Sequence, residues 1–88
     1  MKIEKEFILR EIAGDYVIIP TGKTTLELNG LITVNELGAF LWEKLQQDIT
    51  KAELVEAVLA EYEIDRETVE KDVDEFLEEL VKNRILEI

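Results

Sequence analysis

The sequence predicts an α+β fold of winged helix-turn-helix type, with an N-terminal antiparallel sheet of three to four short strands followed by three helices. Three observations predict it. Glycine and proline occur only at Gly14, Pro20, Gly22, Gly30 and Gly38, so the turn-forming residues are confined to the first part of the chain. Short β-branched and aromatic runs lie between those turns, as in Phe7 to Ile12 and Tyr16 to Pro20. From Ala39 onward, apolar residues recur at helical spacing with neither glycine nor proline to interrupt them.

Each element follows from its own signals. Ala13-Gly14-Asp15 joins the first two runs as a hairpin turn. Thr21-Gly22-Lys23 makes a second turn, after which Thr24 to Leu28 alternates apolar and polar residues. Asn29-Gly30 is a strong two-residue hairpin signal and makes Leu31 to Val34 the returning strand. Asn35 is placed to cap a first helix, whose stripe is Leu37, Phe40, Leu41 and Leu45, ending at Gln46 or Gln47. Thr50-Lys51-Ala52-Glu53 has the form of a capping box, with Ile49 positioned as a hydrophobic staple to Leu54. Val55, Val58, Leu59 and Tyr62 then form the buried stripe of the second helix.

Asp65 caps a third helix in the same way, with Ile64 stapled to Val69. Val69, Val73, Phe76, Leu77, Leu80 and Val81 continue its apolar face, and Ile85 to Ile88 reads as a short extended tail. Phe40, Phe76 and Tyr62 are expected to pack in the core, whereas Trp42, beside the stripe, is expected to be half-buried over the sheet edge. The 88 residues suffice for one core and are read as a single domain spanning 1–88.

Composition excludes several functions. The chain has no histidine, cysteine or serine, which removes the usual general base and the commonest nucleophiles, so it is read as not an enzyme. Glu70, Asp72, Asp74, Glu75, Glu78 and Glu79 crowd the third helix but alternate with its apolar stripe as a solvated face does. No metal is expected, because no oxygen-ligand loop with a glycine at its turn occurs. Nor is a cofactor expected, since Thr21-Gly22-Lys23-Thr24 lacks the preceding glycine and the following helix of a phosphate loop.

A formal charge of −11 repels phosphate backbones. The third helix, which a helix-turn-helix protein would insert into DNA, carries eight acids against four bases from Asp65 to Arg84, so nucleic acid is not expected as a partner. No window approaches the roughly 18–20 apolar residues of a membrane span, and Met1 to Glu6 lacks a signal-peptide core. Absence of cysteine fits a reducing compartment, so the cytoplasm is expected.

The segments from Phe7 to Pro20 and from Leu31 to Trp42 resemble the PQQ-synthesis protein D (PqqD-like) family. Thr50 to Leu54 and the acidic third helix with Asp72-Val73 and Phe76-Leu77 extend the resemblance over nearly the whole chain. It implies a peptide chaperone, or precursor-peptide recognition element, that binds the leader of a ribosomally made peptide and presents it to a modifying enzyme, often a radical SAM enzyme. It also implies that the leader adds as an antiparallel strand to the last strand of the sheet, in a groove against the third helix. Carried onto this chain, the peptide-binding residues are Leu31, Ile32, Thr33 and Val34 on the strand, with Asp72, Val73, Glu75, Phe76 and Glu79 on the wall.

Extra residues between Pro20 and Leu31 distinguish this chain from compact members and leave two candidates for the open edge, Thr25 to Leu28 and Leu31 to Val34. An acidic wall favours leaders carrying Lys or Arg. The alternative is a winged-helix interaction or regulatory domain without a peptide substrate. A short precursor gene and a radical SAM gene beside this one would separate the two.

Overall fold

A computed structural model describes residues 1–3, 7–21 and 32–86. Three antiparallel strands, β1 (Phe7–Ile12), β2 (Asp15–Pro20) and β3 (Ile32–Val34), precede three helices, α1 (Glu36–Lys44), α2 (Lys51–Glu61) and α3 (Arg66–Lys82). The strand expected at Thr25 to Leu28, the Asn29-Gly30 turn and Leu31 lie outside the described residues.

Strand β2 is central, with β1 on one side and β3 on the other. The hairpin between β1 and β2 closes on the pair Ile12 and Asp15, leaving Ala13 and Gly14 as a two-residue loop. Both have positive φ, +52° and +88°, as a type I′ turn requires to match the right-handed twist of its strands. Gly14 adopts this freely, but Ala13 pays a steric cost for its Cβ. Replacing Ala13 with Asn, which tolerates the left-handed region, is expected to raise stability by about 0.5–1 kcal/mol. Thermal melts of the full chain check this, and an unchanged or lowered midpoint would contradict it.

Register decides which side chains meet the helices. Leu9 stands opposite Ile18, and Ile18 opposite Ile32, so these three form one row across the sheet. With Phe7 and Val34 on the same face by the two-residue alternation, they pack against the helical layer. Ile18 is the most buried of the row, at 1% exposure, as befits the central strand. Thr33, on the opposite face, is exposed.

The helices begin as their caps predict. Asn35 accepts a hydrogen bond from the Gly38 amide at 2.8 Å. The Thr50 hydroxyl accepts from the Glu53 amide at 3.1 Å, while the Glu53 carboxylate accepts from the Thr50 amide at 3.0 Å, completing the capping box. Asp65 accepts from both the amide and the hydroxyl of Thr68. Those bonds hold its carboxyl below the usual carboxylate range.

Helix α3 ends in a Schellman motif. The Ile85 amide donates to the Leu80 carbonyl at 2.8 Å and the Arg84 amide to Val81 at 3.0 Å, with Arg84 at φ +60°. Ile85 and Leu80, the apolar pair that accompanies this motif, are both fully buried. The reversal returns the chain to the core, where Leu86 pairs with Ile3 in an isolated antiparallel bridge. The expected extended tail is thus seen as far as Leu86, with 87 and 88 outside the described residues. Ile3 is itself buried, its amide donating to the Leu45 carbonyl at the end of α1 at 3.0 Å.

Several side chains depart from the sequence expectation. Trp42 is buried at 3% exposure rather than half-buried over the sheet edge, because it faces the core cluster together with Leu41 and Leu45. Phe40 and Tyr62 are only half-buried and meet edge to face, with ring centroids 5.4 Å apart, on the rim of that cluster. Val81, read from its spacing as part of the apolar face of α3, is 40% exposed.

Candidate functional site

The functional site is best sought where an unpaired backbone edge meets a wall of side chains. Strand β3 pairs with β2 along one edge, and among the described residues no strand pairs with the other. Such an edge presents amide and carbonyl groups with unmet hydrogen-bonding capacity. Beside it runs α3, and a groove of about 370 Å³ lies between the two.

Three parts of the chain build the groove. Ile32, Thr33 and Val34 supply the strand side. The chain then turns through Asn35 into α1, whose first turns place Leu37, Gly38 and Leu41 in the lining. Helix α3 contributes Asp72, Glu75, Phe76, Glu79 and Leu80, residues spaced three or four apart and therefore sharing one face.

Gly38 is the point of closest approach. A Cβ built there would lie 2.9 Å from the Val34 Cβ and 3.1 Å from the Phe76 ring. Only a residue without a side chain lets the end of β3, the first turn of α1 and the Phe76 ring converge, so Gly38 sets the position of that ring. Phe76 itself is half-buried, packed against the core on one side and lining the groove on the other.

The wall has two chemical tones. Phe76 and Leu80 fall on the flank of α3 adjoining the core residues Val73 and Leu77, whereas Asp72, Glu75 and Glu79 fall on the outer flank. Glu75 and Glu79 are exposed and Asp72 is partly so. Two other acids of α3 are paired, Asp74 with Lys51 and Glu70 at 3.9 Å from Arg66, which also pairs with Glu56, and the Glu79 carboxylate accepts a hydrogen bond from the Asn83 side-chain amide at 3.3 Å. Among the described residues, no Lys or Arg reaches Asp72, Glu75 or Glu79, and none lines the groove.

Of the residues anticipated from sequence, Ile32, Thr33, Val34, Asp72, Glu75, Phe76 and Glu79 come together around this groove. Val73 does not. It is fully buried, pointing beneath the wall into the core, because it lies one position along the helix from Asp72 and hence about 100° around it. Leu31 lies outside the described residues. Asn35, Leu37, Gly38, Leu41 and Leu80 also line the groove and were not anticipated as site residues. For Leu80 a signal existed, since it follows Phe76 by four residues, but the same spacing equally marks core.

Neither a metal cluster nor a membrane-spanning helix is found: among the described residues no group of three or more potential ligands converges, and no helix is long and apolar enough to cross a bilayer.

A solved structure, TbiB1 in complex with the TbiA(beta) leader peptide, matches 99% of this chain and 95% of its own at 30% identity and a TM-score of 0.76. A lasso peptide synthetase B1 complexed with the leader peptide matches over 93% and 91% at a TM-score of 0.70, with 18% identity, a likeness of fold. No curated protein sequence matches the chain. The profile of the family described as coenzyme PQQ synthesis protein D (PqqD) matches residues 15–86, well over half of the chain. The chain belongs to the coenzyme PQQ synthesis protein D family.

Proposed function

We propose that this chain is a non-catalytic carrier for the leader of a ribosomally made precursor peptide, acting as one domain over residues 1–88 in the cytoplasm. The leader adds as an antiparallel strand to the edge of β3 that no described strand occupies and lies in the groove against α3. A single observation carries the reading: an uncharged strand edge, Ile32 to Val34, beside a preformed groove of about 370 Å³. The leader-peptide complex of TbiB1, similar to this chain over nearly all its length, supports it.

The physics of strand addition suits such a carrier. Main-chain hydrogen bonds to β3 supply affinity whatever the leader's sequence, and the side chains that alternate into the groove supply selectivity. Binding leaves the rest of the peptide outside the groove, free to enter a second protein. That protein is a modifying enzyme, of the radical SAM class by family resemblance. No reacting group is required of the carrier itself, in keeping with a chain without histidine, cysteine or serine.

Titrating the isotopically labelled chain with the leader encoded beside its own gene tests this by NMR. Amide shifts are expected at Ile32 to Val34 and at Asp72, Glu75, Phe76 and Glu79. Shifts confined to the β1 edge or to the outer face of α2 would place the site elsewhere.

A further inference from the structure

We infer that the groove selects leaders by charge: Glu75, Glu79 and Asp72 are specificity determinants for Lys or Arg side chains two residues apart on the added strand. The inference rests on the strand-addition reading above and deepens it.

Register supplies the first argument. Ile32 and Val34 face the helical layer, so leader residues standing opposite them point the same way, into the groove. Two such positions, one residue apart in the alternation, are separated by about 6.6 Å along the strand. Glu75 and Glu79 stand one helical turn apart, about 6 Å along α3. The spacing of the groove-facing positions therefore matches the spacing of the carboxylates.

The two-toned wall supplies the second. A side chain entering from the strand edge crosses Phe76 and Leu80 before it reaches the outer row of Asp72, Glu75 and Glu79. Lysine and arginine have that construction, an aliphatic stem ending in a cation, and their stems cover apolar surface while the charged head stays in water. A purely apolar side chain would fill the floor and leave the carboxylates unused. An acidic one would add to a wall that holds three carboxylates with no cation among the described residues.

Selection of a phage-displayed library of random ten-residue peptides against the full chain at low salt tests the inference. Enriched peptides are expected to carry Lys or Arg at positions i and i+2 and to shift the Ile32 to Val34 amides. Their affinity should fall about five- to tenfold in the Glu75→Gln/Glu79→Gln double variant, the effect of two partly exposed ion pairs. It should hold in Glu67→Gln/Glu78→Gln, which removes the same charge from α3 outside the groove. A peptide of equal composition but scrambled order is expected to bind less well.

Enriched peptides that shift the β3 amides but carry apolar or acidic residues at those positions would overturn charge selection and leave strand addition standing. So would equal binding of the scrambled peptide, or an undiminished affinity in the double variant. Peptides that leave the β3 amides unmoved, or a library that yields no binder, would overturn strand addition and this inference with it.

Discussion

Trp42→Ala is expected to remove about 3–5 kcal/mol of stability, the range for truncating a large buried aromatic side chain. The indole is 3% exposed and belongs to the central cluster with Leu41, Leu45, Leu54, Leu80 and Ile85, so its loss opens a void that rigid neighbours on several elements cannot fill. At the usual stability per residue, 88 residues correspond to roughly 4–13 kcal/mol, so the variant sits near or beyond the threshold of folding. Calorimetry of the full chain should show a midpoint lowered by more than about 12 °C, or no cooperative transition. A cost below about 1 kcal/mol would mean that the ring is covered by solvent rather than by protein, as a half-buried residue at the sheet edge would be.

Phe76→Ala is expected to weaken both leader binding and stability. The ring is half-buried, held between Gly38 and the core, and it forms the apolar part of the groove wall. Its removal is expected to cost roughly 2 kcal/mol of stability, less than for a fully buried ring because part of its surface is already in water. Leader affinity should fall by about tenfold or more, because the wall loses the surface on which entering side chains pack. Thermal melts and titration of the same variant separate the two effects. A large loss of stability with unchanged affinity would assign Phe76 to the core alone and remove it from the site.

Glu75→Gln/Glu79→Gln is the counterpart to that variant. Both carboxylates are exposed, so exchanging them for amides leaves packing intact, and any loss of binding reports charge rather than shape. Binding that depends on these groups weakens with added salt, whereas the contribution of Phe76 does not, because apolar burial is not screened. On the proposed reading the groove is expected to divide into a salt-sensitive outer row and a salt-insensitive inner one on a single helix face.

Local order was legible in the sequence wherever a signal acts within one turn or one hairpin. Asn35, Thr50 and Asp65 cap the three helices as their side chains dictate, since a cap needs only an oxygen and an amide two or three residues ahead. The β1–β2 hairpin was legible in Ala13-Gly14-Asp15 for the same reason, although Asp15 belongs to β2 and only Ala13 and Gly14 form the loop. The apolar stripe of α3 correctly marked Val69, Val73, Leu77 and Leu80, but Val81 was misread because helical spacing locates a stripe without defining its width.

The absence of histidine, cysteine and serine removed most catalytic chemistry on composition alone, and the acid-rich third helix was evident as charge. What the third helix faces was not. The groove joins β3 to residues about forty positions later in the chain, and their meeting is decided by how α3 packs over the sheet, a long-range arrangement that no local pattern encodes. Packing turns the Asp72 flank of α3 toward the groove, while Val73, about 100° around the helix on its apolar stripe, goes into the core. The same packing buries Trp42, which sequence position had left beside the stripe. Packing also assigns Gly38 its role, because a residue is needed without a side chain only where three elements come within contact distance of one point.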